Sequence, residues 1–579
     1  MTGNHLFLRT TDQYGASRGS YPRSKAHRAR TVVLCVAFVV LPVRLFGQGE
    51  FVRLEGSLSA SSEFYSISGI DPRRPGTTHM AILSPTLVIG DQIRLPFSAY
   101  ISNTDRGYRQ PFNQFGVSPQ FWGWLTLHAG YYSAKLSDLT FGDTRLLGGG
   151  IEARPGNFRI SALYGRAQQS IAADTVQRFR GVYERRIMAA KLGYGNEEKV
   201  FVDFNLTRAW DDSGSLMLPR RGIASDSVAN LYDVAPQENI VLSTAFGLSI
   251  ADNLFKITGE AAVSGNSQDT RGAEIPDVPG IVSTFFTPRY SSRADAAGQL
   301  AIGITPSQSF AVRLTGRWIG PGFVTLGYPY MPNDLFEWTV APAFRFFAGR
   351  LSLRGSLGLR TNNLRSTLRA PTNRTIGMAN ASAQITDLFG LDAQYANYGM
   401  RSAPRNDTLR IDNISQSLSV SPRVSFQGMG GTNSGVVTLS YQDFTDLNVI
   451  TGGLNGTVTR SAVAVYSLAF PSSLSVTATA LYADTRTALM NSIIQSLSGT
   501  LGYAFFENRL STSATVGYSG ITVAETDNQI TFRLSASYSA GAAGTFTVAV
   551  YSNAFSYANE VATPSYRERQ ASVQYSVTF

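Results

Sequence analysis

The side chains best suited to acid–base chemistry are scarce in this sequence. After residue 47 the only histidines are His79 and His128. His128 lies in WLTLHAG, where it alternates with Leu125, Leu127 and Ala129 and is therefore expected on a polar face. A histidine bonded to its neighbours explains this pattern better than a catalytic base. No His, Cys, Asp or Glu group has metal-ligand spacing, and GDTRLLGGG lacks the Lys-Ser/Thr of a phosphate loop. We therefore expect no catalytic residue, no metal site, no cofactor and no enzymatic activity.

Arginine is the charged residue that recurs in a pattern. Eight arginines occupy the polar positions of alternating segments: Arg94, Arg159, Arg313, Arg317, Arg345, Arg354, Arg360 and Arg533. Acids such as Asp203, Glu260 and Glu337 are fewer on the same faces. A ring of arginines inside a pore favours anions. The alternative is that these arginines pair with interior acids and loop carboxylates and hold plug segments in place.

The segments that carry these arginines have the period of β-strands. In QLAIGITPSQSFAVRLTGRW, residues 299–318, apolar residues alternate with polar ones on both sides of the turn TPSQ. Similar pairs recur to the C-terminus, with short turns at one end and long polar connections at the other. Phenylalanines lie near the short turns, and Tyr or Trp residues lie near the far ends. This asymmetry and the two aromatic bands are typical of a transmembrane β-barrel.

We therefore predict an all-β fold, a single large antiparallel transmembrane barrel over residues 79–579. The count is about 24 strands, within 22 to 26. Residues 48–78 are expected to form an N-terminal segment in the periplasm or the lumen. The predicted location is the bacterial outer membrane, in contact with its lipid.

The N-terminus has the order of a secretory signal peptide, predicted over residues 1–47. A basic stretch precedes the apolar run TVVLCVAFVVLPV, and cleavage is expected after Gly47. The basic stretch is long for such a peptide, so translation could start downstream of Met1. Removing seven basic and one acidic residue from totals of 50 and 40 leaves 43 and 39, a net charge of +4. The formal +10 thus belongs mostly to the targeting segment, and we expect no nucleic-acid partner.

The C-terminal strand QASVQYSVTF ends in Tyr575, Val577 and Phe579 at alternate positions. This ending resembles the signal by which the barrel-assembly machinery captures outer-membrane precursors, which implies that machinery as a partner. Residues 53–166 contain RLEGSLSASSEFYSISGIDPRRP, RGYRQPFNQFGVSP and LTLHAGYY. They resemble the N-terminal part of Gram-negative outer-membrane barrel proteins of the Bacteroidota type, which have no agreed function.

Barrel width bears on function, because barrels wider than about 18 strands are generally plugged. A separate plug domain, as in TonB-dependent transporters, does not fit in the roughly 30 residues before the predicted barrel. Closure is expected from residues 48–78 with RRP at 73–75, from residues 103–119, or from inward-folded outer loops.

The leading functional prediction is a porin-like channel or transport protein for small hydrophilic solutes, preferring anions. The first alternative is a plugged structural or secretion-associated surface barrel that binds partners. The second is a barrel lipase or protease, which would need His128 beside a Ser or Asp at the outer rim.

Overall fold

The structure is a computed structural model. It describes residues 51–579 apart from 91, 104–113, 143, 174–178, 217–233, 252, 277, 407–409 and 561–562. The predicted signal peptide, residues 1–47, lies outside the described residues and stays a prediction.

Strands dominate the chain. In chain order they are β1 Val52–Ser68, β2 Thr77–Ile89, β3 Ile93–Ser102, β4 Gln114–Val117, β5 Gln120–Phe121, β6 Leu125–Ser133, β7 Arg145–Ala153, β8 Phe158–Gln168, β9 Glu184–Gly195, β10 Val200–Asp212, β11 Glu238–Ile250, β12 Phe255–Ser267, β13 Ser292–Ser307, β14 Phe310–Ile319, β15 Leu335–Phe346, β16 Leu351–Asn362, β17 Thr372–Gln384, β18 Phe389–Ser402, β19 Ile411–Gly428, β20 Gly431–Asp446, β21 Thr457–Ala469, β22 Leu474–Thr487, β23 Asn491–Phe505, β24 Leu510–Thr522, β25 Thr526–Ser539, β26 Thr545–Ser556 and β27 Tyr566–Thr578.

The sheet is a closed antiparallel barrel. Each strand pairs with its neighbours in sequence, and β1 pairs with β27. The short segments β4 and β5 both lie between β3 and β6 and share one position. The 27 segments therefore make a barrel of 26 strands, close to the predicted count. Closure leaves no sheet edge with unpaired backbone groups.

The barrel begins earlier than the sequence indicated. Val52–Ser68 is barrel strand β1, although residues 48–78 were expected in the periplasm or lumen. Residues 103–119 were expected to help close the barrel, but Gln114–Val117, together with Gln120–Phe121, forms the interrupted wall strand β4/β5. Strand β1 and strand β4/β5 raise the count from 24 to 26. They also restore the up-down order, so that the end of β2 and the start of β3 lie at the end with the short turns.

Short turns occupy one end of the barrel, here called the short-turn end, and the opposite end is called the long-loop end. Two of the short turns, Phe347–Gly349 and Phe506–Asn508, place three successive residues at positive φ. The long-loop end carries connections such as 268–291 and 320–334. Short turns face the periplasm in outer-membrane barrels.

The outer face of the barrel is apolar. Leu357 and Leu359 of β16 are exposed on the outside, whereas Arg354 and Arg360 alternate onto the inside. Both predicted aromatic bands are exposed on the outer face: Phe255, Phe346, Phe389, Phe505 and Phe546 at the short-turn end, and Tyr164, Trp318, Tyr395, Tyr482 and Tyr518 toward the long-loop end. An apolar band between two aromatic belts is suited to lipid. The chain is a bacterial outer-membrane β-barrel.

The barrel closes at the seam between β1 and β27. The backbone N–H of Phe579 donates to Gly56 O at 3.0 Å, and Gly56 N–H donates to Phe579 O at 2.7 Å. Tyr575 and Val577 lie on the outer face in line with Phe546. Their role in assembly stays a prediction.

The RRP motif lies at the long-loop end of this seam. The Arg73 guanidinium lies 4.7 Å from the Tyr566 ring centre, and that of Arg74 lies 4.4 Å from the Tyr65 ring centre. Arg74 also reaches Glu63 at 3.2 Å. These contacts tie β1 to β27 by cation–π attraction and an ion pair.

Within the part of the chain that the structure describes, helix is limited to α1, Gly280–Phe285, α2, Gly452–Asn455, and two 3₁₀ turns. A search of the described residues finds no helix that is long and apolar enough to cross a membrane.

Candidate functional site

All eight predicted arginines lie on the inner face of the barrel. In each case the neighbouring residues in the strand belong to the apolar outer face, as Phe532 and Leu534 do beside Arg533. The same register places Asp203, Glu260 and Glu337 inside. The lumen is therefore the candidate functional site of the barrel.

Two connections from the long-loop end fold into the lumen and contact each other. They are residues 134–144, whose residue 143 is outside the described set, and residues 320–334; we call them the inner loops. Phe141 forms a parallel bridge with Gly327. Tyr328 Oη donates to Ser137 O at 2.6 Å, and Thr325 Oγ1 donates to Thr140 O at 2.6 Å. Of the three means of closure expected from the sequence, inward-folded loops build a packed core. Residues 104–113 of the expected 103–119 segment lie outside the described residues.

The inner loops pack on one side of the barrel wall. Leu139 and Phe323 are fully buried in a cluster with wall residues of β11 to β15, namely Val241, Ala262, Ala297, Ile319 and Leu335. Phe141 belongs to a second cluster with Leu146, Leu163 and Ile187. Apolar side chains on the inner face of these strands are thus covered by the loops, which is why they do not contact water.

Asn239 of β11 fastens the second inner loop to the wall. Its amide Nδ2 donates to Val324 O at 2.8 Å and to Gly265 O at 3.0 Å. Its Oδ1 accepts from the backbone N–H of Leu326 at 3.0 Å. The Asn239 side chain is completely buried. Each of these three hydrogen bonds therefore takes the place of a hydrogen bond to water that the group makes in the unfolded chain.

Asp138 fastens the first inner loop. Its carboxylate contacts Lys135 Nζ at 2.6 Å and accepts from Gln299 Nε2 of β13 at 3.1 Å. Partial burial alone would raise the pKa of Asp138, but the Lys135 ammonium, the Gln299 amide and the charge of Arg317 outweigh it and lower that pKa. The charged carboxylate of Asp138 is therefore the form that holds the first inner loop to Gln299 of the barrel wall.

We expect this attachment to weaken only in acid. A group with a lowered pKa contributes fully above its ordinary value, here 3.8, and its contribution is lost as the pH falls through the lowered value. Single-channel recordings should therefore show steady currents from neutral pH down to the ordinary value of 3.8 and noisier currents only below it. In Asp138→Asn the acid-induced change should be absent. An equal change in wild type and variant would contradict the assignment.

Beneath the inner loops the wall carries a buried ion pair. Arg159 Nη2 contacts Asp203 Oδ1 at 2.6 Å, and Arg159 Nε contacts the same oxygen at 3.0 Å. Both side chains are less than a tenth exposed. Lys191 Nζ lies 3.7 Å from the other carboxylate oxygen. Arg159 therefore has a structural partner, as the alternative interpretation of the arginines proposed.

Two further predicted arginines also have acidic partners. Arg94 contacts Glu55 at 3.0 Å and Arg360 lies 3.8 Å from Glu337. These pairs are partly exposed, so their contribution to stability is small.

Of the five other predicted arginines, Arg317 is half-buried and its charge acts on Asp138. The remaining four, Arg313, Arg345, Arg354 and Arg533, are exposed on the inner face and make no ion pair within the part of the chain that the structure describes. Three of them lie together, because Arg313 and Arg354 flank strand β15 opposite Ala341 and Ala343, and Arg345 lies opposite Ser352. We call Arg313, Arg345 and Arg354 the basic arc.

His128 lies within a hydrogen-bonded row on the inner wall. Its Nδ1 is 2.9 Å from Ser118 Oγ, its Nε2 is 3.2 Å from Glu152 Oε1, and its ring stacks on Tyr132 at 4.8 Å. The row lies close to the Trp122–Trp124 turn at the short-turn end, not at the outer rim where a lipase or protease was expected to need it. The Ser118 backbone N–H is already bonded to Pro96 O at 3.0 Å.

His79, the other histidine, contacts Ser62 Oγ at 3.0 Å near the long-loop end. Among the described residues no group of three His, Cys, Asp or Glu side chains is arranged to hold a metal ion.

The sequence did not identify the inner loops individually. A signal was present: both contain apolar residues that a solvated loop would not need, such as Leu136, Leu139 and Phe323. Apolar residues in a long connection of a barrel indicate a segment that is buried somewhere.

Comparison of the sequence with protein-family models and with curated proteins gives no match. Solved structures with a similar backbone fold are outer-membrane barrels. One is the P pilus usher (PapC) translocation pore, at 10% identity and a TM-score of 0.35, covering 91% of this chain and 99% of that one. A second is the siderophore receptor PirA from Pseudomonas aeruginosa, at 12% identity and 0.35, covering 90% and 80%. A third is OccK2 (OpdF) of Pseudomonas aeruginosa, at 12% identity and 0.29, covering 91% and 98%.

Proposed function

We propose that this protein is an outer-membrane channel for small hydrophilic solutes and that it prefers anions. The observation that carries the proposal is the basic arc, three exposed arginines on neighbouring strands without ion-pair partners among the described residues. Unpaired cationic groups in a water-filled passage raise the local concentration of anions.

The distribution of the inner loops supports a passage beside them. They cover the wall on the β11–β15 side, where the polar inner residues Asn239, Ser243 and Ser264 are buried. Outside that group of strands, the inner residues Arg354 of β16, Gln394 of β18 and Arg533 of β25 are exposed. A lumen that packed loops fill along part of its wall, and that stays open to water along the rest, has the form of a narrowed channel.

The competing proposal of a plugged surface barrel that binds partners predicts no conductance. The third possibility, a lipase or protease, has the Ser118–His128–Glu152 row in its favour. We propose that this row is structural, because it lies at the short-turn end and the Ser118 N–H is not free to stabilise an oxyanion.

The test is the ion preference of single channels in a planar bilayer. In water a unit charge attracts an anion 10 Å away by about 0.4 kcal/mol, so three charges change the local anion concentration about eightfold when screening is weak. In about 0.01 M salt the wild type should prefer anions, and Arg313→Gln/Arg345→Gln/Arg354→Gln should lose most of that preference.

The matched control removes three arginines from the outer face. Arg460, Arg567 and Arg569 are exposed there, with Arg460 paired opposite Tyr441. Replacing all three by glutamine gives the same change in net charge and should leave the ion preference intact. A folded barrel with no conductance would refute the channel and favour the plugged alternative.

A further inference from the structure

The inner wall of strands β16 to β19 contains a polar recess of about 350 Å³. It borders the basic arc, because Arg354 is one of its lining residues. The sequence analysis assigned no role to its other residues, which come from four consecutive strands.

The recess is built from cross-strand rows. In the first row Arg354 lies opposite Asn380, Asn380 opposite Gln394, and Gln394 opposite Ser419. Neighbouring strands are about 4.8 Å apart, so the four side chains span about 14 Å from the arginine to the serine. One end of the row is cationic and the rest is made of amides and a hydroxyl.

A second row runs parallel to it, one step nearer the short-turn end. Arg345 lies opposite Ser352, which lies opposite Ser382. Ser382 in turn lies opposite Asp392, and Asp392 opposite Ser421. The second row therefore also places its arginine at the β15–β16 end and its hydroxyls along the floor.

The carboxylate of Asp392 does not cancel this polarity. Arg423 Nε donates to Asp392 Oδ2 at 3.0 Å, so the pair is neutral within itself. Gly390 makes the pairing possible, because a Cβ at that position would lie 2.6 Å from the Arg423 guanidinium. The net charge of the recess lining thus comes from Arg354, with Arg345 just outside the lining at the same edge.

We propose that the recess binds a hydroxylated carboxylate, such as an open-chain sugar acid, on its way through the lumen. The inference rests on the proposed channel function, since the recess opens only to the lumen. A planar guanidinium matches a carboxylate with two parallel hydrogen bonds. The Asn380 and Gln394 amides both donate and accept, as hydroxyl groups require. The site is half open, which suits a channel, because binding must be weak enough for release.

The experiment measures interruption of single-channel chloride current by sodium gluconate as the probe. Gluconate should block in proportion to its concentration, while sorbitol, which has the hydroxyls without the charge, and hexanoate, which has the charge without the hydroxyls, should block far less. Arg354→Gln should raise the half-blocking concentration at least about tenfold, the usual effect of losing a charged hydrogen-bond partner. Asn380→Ala should raise it about threefold to tenfold.

Arg533→Gln is the matched control, because it removes the same charge from the inner face at β25, outside both the recess and the basic arc. It should change the half-blocking concentration less than about twofold. Equal effects of Arg533→Gln and Arg354→Gln, or equal block by hexanoate, would overturn the recess proposal and leave the anion channel standing. A protein that folds and conducts no chloride would overturn both.

Discussion

Replacing Asn239 with alanine should release the 320–334 inner loop from the barrel wall and raise the single-channel conductance. Asn239 is buried and makes three hydrogen bonds, two of them to the loop backbone at Val324 and Leu326. Net hydrogen bonds contribute about 1 kcal/mol each, and the loop groups left behind are buried without partners. The expected cost is about 3 kcal/mol, more than a hundredfold in the equilibrium between attached and detached loop.

The measurement is conductance together with its fluctuation, since a detached loop should both widen the passage and move within it. Asn433→Ala is a close control. Asn433 is equally buried and donates to Gly428 O at 2.7 Å and to Gly431 O at 3.1 Å, and its Oδ1 accepts from Tyr466. It lies at the short-turn end on the outer face, so its loss should destabilise the barrel without changing conductance. An unchanged current in Asn239→Ala would mean that the apolar packing of Phe323 alone holds the loop.

Strand alternation predicted the barrel because each barrel strand is in contact with lipid on one side and with the lumen on the other. The two missed strands are those in which this contrast is weak. In β1 the sequence SLSASSEFYSIS places serine on both faces. In β4 and β5 the segments are only four and two residues long, separated at Ser118 and Pro119. A period of two cannot be recognised over so few residues.

The inner loops could not be placed from local pattern, because their contacts join residues far apart in sequence. Thr325 bonds Thr140 across 185 positions and Leu326 bonds Asn239 across 87. Nothing in the local sequence of either loop specifies these partners. The apolar content of the loops could have predicted burial, but not against which strands.

The partners of the inner-face arginines could not be predicted from the local sequence pattern either. Alternation assigned Arg159 and Arg354 to the same inner face of the barrel. Their partners depend on which strands lie beside them: Arg159 reaches Asp203, two strands away, whereas Arg354 lies opposite the neutral Asn380. One sequence pattern therefore covers two roles, an anchored structural cation and an exposed one that can attract solute.

Asp203→Ala should be the most destabilising single substitution on the inner wall. Asp203 is the partner of Arg159 and also lies near Lys191. Its removal leaves the buried Arg159 guanidinium with only the half-exposed Glu197, 3.6 Å away, as a counter-charge. We therefore expect a loss of about 3 kcal/mol, the low end of the cost of orphaning a buried charge. Unfolding in urea, followed by the fluorescence of the five tryptophans, should show a large decrease in the midpoint. Asp392→Ala is the control, because its partner Arg423 is 40% exposed and the expected loss is about 1 kcal/mol or less.

The double variant Arg159→Met/Asp203→Leu separates the pair's own contribution from the penalty of an orphaned charge. Replacing both members with apolar residues of similar volume removes the orphaned guanidinium and leaves only Lys191 without Asp203, so part of the stability lost in Asp203→Ala should return. If Asp203→Ala unfolds within about 1 kcal/mol of wild type, then water reaches Arg159 in the lumen. In that case the wall beneath the inner loops would be wet, and Arg159 would join the exposed arginines as a candidate for contact with solute.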